Sequence, residues 1–136
     1  MKKLLTELHL LMERTDLLYV ANELVKNYNL KSKVKFGNYS KQKGHKDKGG
    51  YNWDTDTIKL NKYYDNVDDF IITVLHEIHH AIQVDKYGRK KFLKKYAQAG
   101  NMAELDGKDR YLANKWEKKA ENWAQQEYRK KWKGNF

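Results

Sequence analysis

Leu4, Leu5, Leu8, Leu11, Met12, Leu18, Ala21, Val25 and Tyr28 recur at intervals of three and four residues, which is the spacing of one helix face. The pattern predicts an amphipathic helix of about seven turns, broken near Thr15-Asp16 and ending at Asn27 and Asn29. Val34, Phe36 and Tyr39 then alternate with polar residues as in a half-buried strand. The lysine- and glycine-rich stretch Lys41 to Gly50 predicts a loop. Tyr51 and Trp53 against Ile58 and Leu60 predict two short strands around Asp54-Thr55-Asp56.

Helical spacing returns at Val67 and runs to about Lys86. Asp65 or Asn66 can cap this helix, Asp68 and Asp69 suit the positive end of its dipole, and Gly88 marks its stop. A shorter helix is expected from Arg89 to Gln98, ended by Gly100-Asn101, and a final one from about Asp109 to Trp132. This order lacks strand–helix alternation, so the expected class is α+β, with a small antiparallel or mixed sheet. A chain of 136 residues is expected to form one domain, residues 1–136.

The absence of cysteine removes disulfides, thiolate metal sites and cysteine nucleophiles together, so any metal must be held by imidazole and carboxylate. No apolar run approaches membrane-spanning length, and Glu7, His9 and Glu13 interrupt any signal-like run, so a cytoplasmic protein without a membrane partner is expected. The net charge of +10 is uneven. Lysines crowd Lys31 to Lys48, Lys86 to Lys95 and the segment Arg129 to Lys133, whereas Tyr51 to Asp85 is acidic. A solvated lysine surface accounts for this most simply, with nucleic-acid binding as the alternative.

His76-Glu77-Ile78-His79-His80 changes the picture, because it falls inside a predicted helix. Residues four apart share a helix face, so His76 and His80 can offer ring nitrogens to one ion. Glu77, one step round, can reach a metal-activated water without ligating the ion. Val67, Ile71, Val74, Leu75, Ile78 and Ile82 gather on the opposite side, giving an apolar back to bury and a histidine face for a cleft. His79 lies on the flank, as a surface or supporting residue; His9 and His45 are expected bystanders. No histidine follows His80, so a third ligand must be a carboxylate, and the final predicted helix offers Glu117 and Glu121. Leu112, Trp116, Ala120 and Trp123 would form its buried stripe, with Glu117 at the border beside Ala113, Ala120 and Ala124 and Glu121 further out, which favours Glu117. An ordinary pairing with a helix lysine is the plain alternative for either glutamate.

The His76–His80 segment together with Glu117, Ala120, Trp123 and Ala124 resembles the ImmA/IrrE-like gluzincin peptidases. Those enzymes pair His-Glu-x-x-His with a Glu-x-x-Ala-x-x-aromatic-Ala helix, and usually carry glycine where His79 stands. The resemblance covers about Tyr51 to Tyr128. It implies a minimal zincin-like fold, a zinc ion held by His76, His80 and Glu117, and Glu77 as general base for hydrolysing a protein or peptide substrate. It also implies that the strand Thr57 to Asn61 is an edge on which an extended peptide is laid. The alternatives are a basic nucleic-acid-binding protein and an inactive zincin-fold binding module.

Overall fold

The computed structural model describes residues 14–37, 48–62 and 64–134. The expected helical residues 4–13, Tyr39, most of the lysine–glycine loop, His9 and His45 lie outside them. The described elements are α1 (Arg14–Asn27), β1 (Lys33–Phe36), β2 (Gly49–Asn52), β3 (Thr57–Leu60), α2 (Val67–Tyr87), α3 (Arg89–Leu105) and α4 (Lys115–Glu127), followed by a π-helical turn, Tyr128–Trp132. The class is α+β.

The three strands form one sheet in the order β1-β3-β2. β1 runs parallel to β3, with Val34 opposite Ile58, and β2 runs antiparallel to it, with Tyr51 opposite Ile58. The sheet is therefore mixed. β3 is its centre and not an edge, which corrects the expectation that a peptide could add along Thr57 to Asn61. Ile58 and Leu60 are fully buried, as a strand with neighbours on both sides and helices on one face requires.

α2 is the organising helix. The Asn66 side chain accepts from the Asp69 N–H (2.8 Å), Asp68 and Asp69 occupy the positive end, and Gly88 at φ 81° ends the helix. Its apolar face, Phe70, Ile71, Val74, Leu75 and Ile78, packs with Leu17, Ala21, Leu24 and Val25 of α1 and with Ile58 and Leu60. α4 returns across α2 through Ala120 and Ala124, both fully buried, whose small side chains allow close approach. The turn after α4 fastens the other end of the core. The Tyr128 hydroxyl donates to Asp68, and the Trp132 indole N–H donates to the Tyr28 hydroxyl (2.9 Å). Among the described residues no helix is long and apolar enough to cross a membrane.

Several element bounds differ from the sequence expectation. α3 continues through Gly100 to Leu105, and the Arg110 side chain lies against Gly100, where a Cβ would stand 3.0 Å from the Arg110 Cγ. α4 begins at Lys115 and not at Asp109. The Asp109 carboxylate accepts the N–H groups of Tyr111 and Leu112 and closes a separate turn, and Asn114 then caps the helix. Leu112 is consequently exposed and not part of a buried stripe. Gly49 and Gly50 belong to β2, whereas Trp53 leaves the strand to pack its ring on Phe92 and Tyr96.

Candidate metal centre

His76 and His80 project from adjacent turns of α2 toward the first turn of α4. Their Nε2 atoms stand 2.8 and 2.9 Å from the same oxygen, Oε1 of Glu117. One donor atom from each of the three side chains lies within 4.8 Å of the other two, so the group could hold a metal ion. His80 and Glu117 are buried.

The far sides of both rings are also engaged. Nδ1 of His76 faces Glu121 Oε1 (3.1 Å), and Nδ1 of His80 faces Gln83 Oε1 (2.9 Å). An N–H donated from Nδ1 fixes each ring and leaves Nε2 free of its proton for an ion, a support common among histidine ligands. Glu121 therefore stands behind His76, while Glu117 stands in front of both histidines. Glu121→Ala is expected to weaken metal affinity by about 10- to 100-fold without abolishing it, as titration calorimetry would show.

Glu117 is held by more than the histidines. Asn114 accepts from the Trp116 N–H (2.9 Å) and donates to the Tyr96 carbonyl (3.1 Å), tying the start of α4 to α3. The Tyr96 hydroxyl donates to Oε2 of Glu117, leaving Oε1 toward the imidazoles. Tyr96, Gln83 and Asn114 are not among the residues the sequence singles out. Only Gln83, three residues beyond His80 and so on its face, had a signal of spacing.

The charges are mutually dependent. Burial opposes protonation of His76, but hydrogen bonds to Glu117 and Glu121 more than offset it and push its pKa up to about 10. His80 shifts in the same direction, against burial, through Glu117 and Glu77. Burial would raise Glu117, yet its hydrogen bonds with His76 and His80 hold it well below the usual carboxylate range. In the metal-free protein, an imidazolium whose pKa rises from 6.5 to about 10 stabilises the fold fully below pH 6.5, and that contribution is lost as pH rises through about 10. Chemical denaturation in chelator should show stability falling across this window. Metal affinity should rise with pH over the same window, because bound protons must leave before the metal enters.

Glu77 is buried beside the histidines, and burial raises its pKa against the pull of His80 and His76. It borders a cleft of about 470 Å³ whose lining includes Gly49, His76, Glu117, Glu121, Tyr111 and Leu112. His79 turns away from the cleft and stacks on Trp123 with ring centroids 4.9 Å apart. Burial and the neighbouring His80 and His76 lower its pKa to about 4, so it is a neutral packing ring between α2 and α4.

No protein-family model, curated protein or solved structure matches the chain.

Proposed function

We propose that the chain is a zinc-dependent metallopeptidase of the ImmA/IrrE-like, zincin-fold type. The observation that carries this reading is the meeting of two imidazole Nε2 atoms and one carboxylate oxygen beside a buried glutamate in an open cleft. Two imidazoles and one carboxylate suit zinc, and three protein ligands leave a further position for water or substrate. His76, His80 and Glu117 would hold the ion. Bound zinc would supply Lewis acidity, acidifying a water and polarising the scissile carbonyl.

The rest of the chemistry belongs to the chain. Glu77 takes the proton of the attacking water and passes it to the leaving amide nitrogen, a task suited to a carboxylate whose proton affinity burial has raised. Glu121 and Gln83 keep the imidazoles aligned, and Tyr96 keeps Glu117 aligned.

Substrate binding is assigned to β2. Among the described residues its outer side has no strand partner, and Gly49 lines the cleft. An extended peptide laid along this edge would gain backbone hydrogen bonds. On the cleft wall, the exposed Tyr111 and Leu112 offer apolar surface for a substrate side chain.

Gly49 makes this arrangement sensitive to one methyl group. A Cβ there would stand 2.9 Å from Thr73 Cγ2, 3.3 Å from the Lys59 carbonyl and 3.4 Å from Glu77 Oε2. Gly49→Ala should therefore push β2 off α2 and lower kcat/KM by up to about 10²-fold, the scale of an ångström-sized misplacement of substrate. Thr73→Ser removes the obstructing methyl while keeping the hydroxyl that donates to the Asp69 carbonyl, and should restore activity in the double variant. Unchanged kinetics in Gly49→Ala would rule out substrate on this edge.

The proposal as a whole is tested by loading the protein with zinc and following peptide cleavage with and without chelator. Cleavage that chelation stops and zinc restores is expected. One zinc per chain with no hydrolysis of any peptide would refute it.

A further inference from the structure

Where α2 ends, α3 begins and α4 starts, two aromatic rings meet edge to face: Tyr87 and Trp116, with centroids 5.5 Å apart. Lys86 and Lys95 place their ammonium groups 5.3 and 5.9 Å from the Tyr87 centroid, and Lys115 and Lys119 lie 5.3 and 4.8 Å from that of Trp116. Four positive charges are thus gathered over one pair of rings. Lys90, Lys91 and Lys94 stand exposed on the same first turns of α3, whereas Lys118 of α4 lines the cleft and is not part of this face. None of the seven lysines of this face forms an ion pair among the described residues. Of the nearby acids, Asp54 pairs with Arg89 and Glu117 points inward to the histidines, while Asp85 beside Lys86 is exposed and offsets one of the seven charges.

We propose that this lysine face is a nucleic-acid-binding surface that grips the phosphate backbone, separate from the peptidase chemistry. Gathering like charges is unfavourable for the free protein, and the more so in low salt, where screening is weak. The ring faces offset part of that repulsion and hold the ammonium groups in place. A row of phosphates relieves the remainder and releases its own condensed counterions.

A protein partner fits the face less well. Protein interfaces deplete lysine and anchor on apolar side chains in pockets, and here Trp116 is already buried and both rings are roofed by ammonium groups. Lysine acting as a point charge is instead an ordinary phosphate ligand. The net charge of +10 adds long-range attraction to a polyanion.

The test is fluorescence anisotropy of the zinc-loaded full chain with a short labelled DNA duplex of mixed sequence, titrated at several salt concentrations. Three proteins are compared: wild type, a patch variant (Lys86→Gln, Lys95→Gln, Lys115→Gln, Lys119→Gln) and a control variant (Lys33→Gln, Lys35→Gln, Lys130→Gln, Lys133→Gln). The control removes the same charge from exposed positions elsewhere. Wild type should lose affinity steeply with salt, with a log–log slope of about −4 or steeper. The patch variant should reduce the slope by about three to four, whereas the control should stay close to wild type. Absence of duplex binding at about 50 mM salt would overturn the proposal. So would equal losses in both variants, or tighter binding of a polyglutamate chain than of the duplex. Metal content and peptide cleavage should be unchanged in the patch variant, so either reading can fail without the other.

Discussion

Glu117→Ala is expected to abolish stable zinc binding and to destabilise the metal-free protein by about 3–5 kcal/mol. Both effects follow from one oxygen. Oε1 of Glu117 is the common partner of both Nε2 atoms, so removing it leaves two imidazoles, too few to hold zinc tightly. Without metal, the same carboxylate is the counter-charge that keeps the mostly covered His76 protonated beside the buried Glu117. Its loss leaves a cation without its main partner, which is the costly way to break a buried pair. Glu121→Ala separates this from a general effect of α4 acidity, since Glu121 is about half exposed and reaches only the back of His76. Titration calorimetry gives the affinities and urea denaturation in chelator gives the stabilities. Wild-type zinc affinity in Glu117→Ala would disprove the assignment of the third ligand.

Glu77→Gln is expected to lower kcat by about 10²- to 10⁴-fold while leaving zinc stoichiometry at wild-type level. The glutamine keeps the shape of the side chain and its fit beside Gly49, but cannot accept the water proton. Burial raises the Glu77 pKa, so its charged form is a cost to the fold and the variant should be at least as stable as wild type near neutral pH. A catalytic loss without a stability loss distinguishes a base from a structural carboxylate. If the variant instead released its metal, Glu77 would be a ligand and the proposed division of roles would fail.

α2 was legible almost residue by residue, because cap, dipole charges, apolar stripe and terminal glycine all agree from Asn66 to Gly88. His76, His80 and Glu117 were legible as candidates for a related reason. A four-residue spacing fixes a shared face locally, and a glutamate beside small alanines marks where a second helix can come close. Strand order was not legible, since β3 is joined to β1 in parallel and pairing across a long connection leaves no local trace in four-residue strands. The start of α4 is not legible because Asp109 and Asn114 both suit an N-cap; Asp109 closes its own turn, and Asn114, tied also to the Tyr96 carbonyl, caps the helix. Tyr96 itself had no sequence signal: ten tyrosines are present, and the one that orients Glu117 is identified by where α3 places it.

The most direct measurement is digestion of a mixed peptide library by zinc-loaded wild type and zinc-loaded Glu77→Gln, with new termini read by mass spectrometry. The account predicts cleavage by wild type, enriched beside apolar residues that Tyr111 and Leu112 can receive, and essentially none by the variant. An absence of new termini with zinc-loaded wild type, or equal cleavage by both proteins, would contradict it.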